Sequence, residues 1–178
     1  MRVEVTELPE VLRVKPQIFA DERGFFMESW NQAAFDQALG RPVRFVQDNH
    51  SRSRCGVIRG LHFQIEPASQ AKLVTVMNGR IFDVAVDVRE SSPSYGKWYG
   101  EELCGEERVS LWIPEGFAHG FLVLSETADV LYKTTNFYSP EHERCIRWDD
   151  PTLAIEWPLS SGGHTVSEKD QKGVLFGE

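Results

Sequence analysis

Gly56-Val-Ile-Arg-Gly-Leu-His62-Phe-Gln64, followed by Lys72 and by Asn78-Gly79, is the stretch on which the fold turns. Just beyond it, Arg80-Ile-Phe-Asp-Val-Ala-Val-Asp-Val88 alternates. Phe82, Val84, Val86 and Val88 fall on one face; Ile81, Asp83, Ala85 and Asp87 fall on the other. Asn-Gly favours a tight hairpin, because both residues tolerate positive φ. With Met77 opposite Arg80, Val76 faces Ile81, Val74 faces Asp83 and Lys72 faces Ala85. Lys72, Val74, Val76, Ile81, Asp83 and Ala85 then share one sheet face. A lysine and an aspartate as diagonal neighbours on an apolar face read either as a structural salt bridge or as part of a site.

Working outward, further strands fit residues 44–49, 95–103, 109–113, 119–124 and 128–135. One helix fits Asn31–Gly40, capped by Asn31 and ended by Gly40. From about Tyr138 the chain is rich in Pro and Gly and is expected to wrap a barrel with short helical turns. Many short strands with few short helices predict an all-β, double-stranded jelly-roll barrel. At 178 residues, one domain spanning 1–178 is expected.

The first motif has the rhythm of the cupin metal motif, and the fold is expected to be cupin-like. In cupins a Gly precedes a His by six residues, a second His follows in His-x-His, and a Glu lies seven residues before another Gly. Here Gly56 and His62 fit, but Gln64 takes the second His position and Lys72 takes the Glu position before Gly79. Pro114-Glu-Gly-Phe-Ala-His119 matches the second motif, with Val123 where Asn is usual. An ammonium has no lone pair for a metal and repels one. The expectation is a cavity without a metal, in which a lysine replaces the Lewis acid.

Composition narrows the function. A net charge of −8 argues against general nucleic-acid binding, yet leaves room for a basic pocket that takes an anion. No apolar run approaches the ~18 residues of a membrane span, and the N-terminus lacks a signal-peptide core, so a cytoplasmic protein is expected. Three cysteines without CxxC spacing predict reduced, structural thiols. Imidazole is the natural base near neutral pH, which makes His62, beside Arg59 and Gln64, either a base or a half-buried packing residue. Tyr132 lies in a strand, as a packing residue or a proton donor. Asp170 follows Ser167-Glu-Lys, and spacing alone does not bring it to His62. Arg23 and Arg59 have the fork geometry for phosphate; Arg54 reads as surface charge. His50, His142 and His164 sit in polar contexts and read as surface or loop residues.

Seven segments occur in order: Asp21-Glu-Arg-Gly-Phe-Phe, Gln47-Asp-Asn-His-Ser, Gly56-Val-Ile-Arg-Gly-Leu-His, Lys72-Leu-Val, Leu111-Trp-Ile-Pro-Glu-Gly-Phe-Ala-His-Gly-Phe, Leu131-Tyr-Lys and Ser167-Glu-Lys-Asp. Together they resemble the dTDP-4-dehydrorhamnose 3,5-epimerase family over residues 3–171. The resemblance implies a homodimer without metal or cofactor. It also implies inversion of carbons 3 and 5 of a thymidine-diphosphate 4-keto-6-deoxy sugar, a step towards dTDP-L-rhamnose. His62 matches the family's base, Asp170 its supporting carboxylate, Tyr132 its proton donor and Lys72 the lysine at the keto oxygen. Substrate contacts carry over to Arg23, Phe26, Glu28, Gln47, Asp48, Asn49, Arg59, His119, Tyr138, Glu143 and Lys169, with Arg23 and Glu28 acting across the dimer. Phe63, where Tyr is common, and the longer Ile65-Glu-Pro-Ala-Ser stretch depart from the family pattern.

The expected chemistry is proton abstraction beside a ketone. His62 takes the proton, Asp170 orients the ring, Lys72 stabilises the enolate oxygen, and Asp83 keeps Lys72 charged and aimed. Tyr132 or a water returns a proton from the opposite face. The competing readings are a 3- or 5-monoepimerase of a related sugar, a metal-dependent cupin oxygenase or isomerase, and a non-catalytic sugar-nucleotide binding module.

Overall fold

The computed structural model describes residues 1–158 and 163–178. Its strands are β1 (Arg2–Val5), β2 (Leu12–Lys15), β3 (Ile18–Asp21), β4 (Gly24–Met27), β5 (Gln47–Arg54), β6 (Val57–Gln64), β7 (Lys72–Asn78), β8 (Arg80–Asp87), β9 (Trp98–Cys104), β10 (Ser110–Ile113), β11 (Phe117–Val123), β12 (Thr127–Thr134), β13 (Glu143–Cys145) and β14 (Thr165–Val166). Helix α1 covers Gln32–Leu39 and α2 covers Glu168–Gln171. The Asn31 side chain accepts from the Ala34 N–H, and Gly40 ends α1 in the left-handed conformation, as the sequence predicts.

Two six-stranded sheets face each other. The first runs β1-β2-β10-β7-β12-β5, and the second runs β13-β6-β11-β8-β9 with β14 joined to β6 in parallel. All other pairings are antiparallel, including the separate β3–β4 hairpin. The chain alternates between the sheets, which gives the cupin-like jelly roll expected from the sequence.

That alternation corrects the hairpin reading. Asn78-Gly79 does not pair β7 with β8. It passes the chain from one sheet to the other, because β7 bonds to β10 and β12 while β8 bonds to β9 and β11. Gly79 is required there: its φ is +80°, and a Cβ would meet the Thr127 carbonyl oxygen at 2.1 Å. The face assignment survives for a different reason. Val74, Val76, Ile81 and Ala85 all enter the core between the sheets, with Leu111, Ile113, Phe117 and Phe121. They meet across the barrel rather than along one sheet.

Two further apolar layers cover the outer faces. Trp30, Phe35 and Phe45 pack with Trp112 and Leu73 on the first sheet. Val84 and Val86 meet Leu61, Ile146, Leu153 and Trp157 on the second. Ile146, Leu153, Ile155, Trp157 and Phe176 thus bring parts of the C-terminal third onto the second sheet. The strand read over 44–49 is instead Gln47–Arg54. Phe45 belongs to the outer aromatic layer, and the true strand is polar because one of its faces lines a cavity.

Candidate active site

The cavity, about 340 Å³, opens between the two sheets and is lined by both. The second sheet supplies Arg59, His62, Phe63 and Gln64 from β6, His119 and Phe121 from β11, and Glu143 from β13. The first supplies Gln47, Asn49 and Ser51 from β5, Lys72 from β7 and Tyr132 from β12. Gln70 and Tyr138 complete the wall. Its volume lies near the lower end of the ~300–1,000 Å³ usual for small-molecule pockets.

His62 and Asp170 meet although 108 residues separate them. His62 Nε2 lies 2.6 Å from Asp170 Oδ1. Asp170 also accepts from the Gly60 N–H at 3.2 Å, and its own N–H donates to Ser167 Oγ at 3.1 Å, the N-cap bond of α2. Burial pushes the Asp170 carboxyl up, but bonding to His62 and Gly60 outweighs it, so the group is held below its ordinary value. Gly60 allows the tight fit of β6 on β11: its φ is +118°, and a Cβ would stand 2.6 Å from the Gly120 Cα.

Lys72 is 8% exposed, and one of its N–H groups donates to the His62 carbonyl at 3.0 Å. Burial lowers its pKa from 10.5 to about 8, against the opposing pull of Asp83 and Glu143. Near neutral pH it is therefore a buried ammonium, whose charge is weakly screened.

Asp83 does not hold Lys72 through an ion pair, and that expectation is corrected. Its Oδ1 accepts from His119 Nε2 at 2.8 Å, while Oδ2 is buried with no hydrogen-bond partner among the described residues. The two side chains arise from opposite sheets rather than as hairpin neighbours, so Asp83 acts on Lys72 only through its field. Burial pushes His119 down and towards neutrality, against the pull of Asp83. Burial also raises the Tyr132 phenol, which keeps it protonated.

At the rim, Glu143 accepts from Tyr138 Oη at 2.8 Å and from Lys169 Nζ. Burial raises the Glu143 carboxyl, but Lys169 and Tyr138 more than offset this and hold it ionised. Arg59 Nε donates to Ser53 Oγ at 2.9 Å. Gln47 Nε2 donates to Asn49 Oδ1 at 2.9 Å, and Gln47 Oε1 accepts from the Tyr138 N–H at 3.0 Å.

Four predicted contacts lie away from this cavity. Asp48 alternates with Gln47 and Asn49, so it points to the outer face of the first sheet and pairs with Lys133 at 3.0 Å. Arg23 and Phe26 lie on the exposed β3–β4 hairpin, where Arg23 binds Asp21; Glu28, just beyond it, accepts from Asn31 at 3.0 Å. None of these lines the cavity of its own chain.

The sequence reading did not name Ser51, Gln70 and Phe121 as lining residues. Period-two alternation from Asn49, Lys72 and His119 was the available signal for all three. Gln64, at the lost metal-ligand position, has a structural use. Its amide donates to the Ala68 and Phe137 carbonyls at 2.6 and 3.1 Å and accepts from the Ser139 N–H at 2.8 Å, which ties down the cavity rim. All three cysteines are free. Cys145 is the one beside the site: it pairs with His62 in register, its Sγ lies 3.9 Å from Asp170 Oδ1, and burial pushes its thiol up to about 12.

Known proteins resemble this chain over nearly its whole length. The family model described as dTDP-4-dehydrorhamnose 3,5-epimerase matches residues 5–178. A dTDP-4-dehydrorhamnose 3,5-epimerase from Pseudomonas aeruginosa is 56% identical over 178 residues, covering 100% of this chain and 97% of that one. A crystal structure of a dTDP-6-deoxy-D-glucose-3,5-epimerase from Legionella pneumophila, in complex with dTDP-4-keto-L-rhamnose, is 48% identical. It superimposes with a TM-score of 0.94 over 98% of this chain and 92% of that one. A 3'-monoepimerase from Streptomyces bikiniensis, in complex with dTDP-quinovose, is 29% identical with a TM-score of 0.89, covering 99% and 87%. By sequence and by structure, then, the chain belongs to the dTDP-4-dehydrorhamnose 3,5-epimerase family.

Proposed function

We propose that this chain inverts carbons 3 and 5 of dTDP-4-dehydro-6-deoxy-D-glucose, giving dTDP-4-dehydro-L-rhamnose. One observation carries the reading: His62 and Tyr132 enter a single cavity from opposite sheets, with the Lys72 ammonium in the same wall. A base on one side of a sugar ring and an acid on the other are what inversion of a carbon requires.

Both target carbons adjoin the ketone, so one enolate-forming apparatus serves both. His62 Nδ1, the ring nitrogen not held by Asp170, takes the proton, and Asp170 stabilises the resulting imidazolium. Electrons move onto the keto oxygen, where Lys72 meets the growing charge. Such a fixed donor is worth about 10²–10³ in rate. Tyr132 then delivers a proton to the opposite face. The cations Lys169 and Arg59 at the rim suit the nucleotide diphosphate, with Glu143 holding Lys169 and Tyr138 in place, and binding energy gained there orients the sugar.

Solvent deuterium exchange tests enolate formation directly. The 4-keto sugar nucleotide incubated in deuterated water should gain deuterium at both carbons, and the His62→Ala variant should incorporate none while still binding the nucleotide. An active His62→Ala chain would sink the base assignment. Proton NMR of the product separates double inversion from the single inversion of a 3- or 5-monoepimerase, the reading that the Streptomyces relative keeps in view.

The assembly expected is a cytoplasmic homodimer of single-domain subunits. Free thiols suit a reducing compartment. The β3–β4 hairpin exposes Phe19 at 54% and Phe26 at 67%, and it carries Arg23 outside its own cavity, as a segment donated to a partner would. Mixing Arg23→Ala with His62→Ala subunits should restore part of the activity. Absence of complementation, with dimers present by light scattering, would remove the shared site.

A further inference from the structure

We propose that His62, Cys145 and Asp170 form a site for a thiophilic divalent cation, with zinc as the probe, and that filling it switches the base off. One donor atom from each residue lies within 4.8 Å of the others, the single such cluster of His, Cys, Asp and Glu found among the described residues. Nitrogen, sulfur and oxygen donors with one position open form a familiar zinc ligand set, with bonds of ~2.0–2.3 Å. Donor atoms around such an ion stand roughly 3.3–3.8 Å apart by tetrahedral geometry. Cys145 Sγ and Asp170 Oδ1 are 3.9 Å apart, near that range, while His62 Nε2 and Asp170 Oδ1, at 2.6 Å, must part to admit the ion.

The fold builds this trio independently of the lost cupin position. Cys145 lies directly across from His62 in the β13–β6 pairing, and α2 delivers Asp170 to the same place. Lys72 would repel an ion among His62, Gln64 and His119. His62 and Asp170 also border a second groove, lined by Thr165, Val166, Ser167 and Lys169, with Cys145 behind them; there the Lys169 ammonium is already paired with Glu143.

Binding is a ligand exchange with no redox step. Zinc takes His62 Nε2 in place of its bond to Asp170, and the ring proton moves to Nδ1. It takes an Asp170 oxygen as it stands and displaces the Cys145 thiol proton to water. With Nδ1 protonated, the ring has no lone pair for the substrate. Magnesium, which prefers all-oxygen sites, should not compete. The inhibition rests on the proposed role of His62; the binding does not.

Zinc titration of the full chain, by calorimetry and by turnover, tests this. Inhibition reversed by EDTA and absent with magnesium is expected. In Cys145→Ala, uninhibited turnover should persist while the inhibitory zinc concentration rises about 10-fold or more. Cobalt should give a thiolate charge-transfer band in the wild type and none in Cys145→Ala. Cys145→Ser, which keeps the side-chain volume, serves should the alanine variant unfold by circular dichroism. Unchanged inhibition in these variants, or cobalt binding without the thiolate band, would overturn the site. A thiolate band in a chain inactive in the deuterium assay would instead spare the site and remove the proposed function.

Discussion

Strand β8 carries two fully buried carboxylates on its inward face, Asp83 and Asp87, and they are treated in opposite ways. Asp87 is saturated. Arg89 grips both of its oxygens, Ser92 and Ser94 donate to Oδ2 at 2.5 and 2.6 Å, and the Arg89 N–H donates to Oδ1 at 3.0 Å. Burial works to raise that carboxyl, yet these donors hold it far below its ordinary value. Among the described residues Asp83 has one partner, His119, and a bare second oxygen. A buried polar atom left unpaired costs about 1–3 kcal/mol. The fold accepts that cost at the cavity end of the strand and nowhere near it at the loop end. Stability is secured by a closed network around Asp87, while the open one around Asp83 leaves its charge to act on Lys72.

The comparison breaks most visibly at Lys72. Lys72→Met should cut turnover about 10²–10³-fold, since it removes the donor at the keto oxygen. Shifting a buried lysine from 10.5 to about 8 costs the fold roughly 3 kcal/mol, so this variant should be as stable as the wild type or more so in urea. A large loss of stability alongside the lost turnover would mean that Lys72 is structural.

Asp87→Ala is the converse. It strands Arg89 and two serines, and should cost about 3–5 kcal/mol in urea unfolding, as when a buried pair loses one member. Turnover per folded molecule should change little. A catalytic defect with unaltered stability would erase the distinction between the two carboxylates.

Asp83→Asn sharpens it. Because the Asp83 charge raises the Lys72 pKa, the variant should lose activity at lower pH than the wild type, whose alkaline limb in kcat/KM should lie near the Lys72 value of about 8. A limb that stays in place would show that the field of Asp83 does not reach Lys72.

The last effect is thermodynamic. Between about pH 8 and 10.5 the unfolded chain holds the Lys72 proton and the folded chain does not. Wild-type stability relative to Lys72→Met should therefore rise with pH across that window, and stay at its lower level below it. Urea titrations at several pH values would show a flat difference if Lys72 is not desolvated.

Much of the candidate site was legible because it depends on local pattern. Lys72 reads from alternation, His62 and His119 from the spacing of the two cupin motifs, and the α1 cap from Asn31, whereas Glu143 comes only from the family resemblance. The resemblance implies contacts at Gln47, Asp48 and Asn49 alike; alternation along β5 turns Gln47 and Asn49 into the cavity and Asp48 out of it. Strand β5 lies later than the span 44–49 because it is polar and faces a cavity, so no apolar pattern marks its extent.

By itself the sequence determined the alternation along β7 and β8, where the α1 caps fall, and that a cation replaces a metal ligand. Tertiary structure alone decided which strands bond to which, so that Asn78-Gly79 crosses between sheets, Asp83 bonds His119 rather than Lys72, and Asp170 reaches His62. The physical reason is range. Alternation and capping are set by neighbouring residues, whereas any exposed strand edge offers the same N–H and C=O groups, and only the packing of the whole barrel selects the partner.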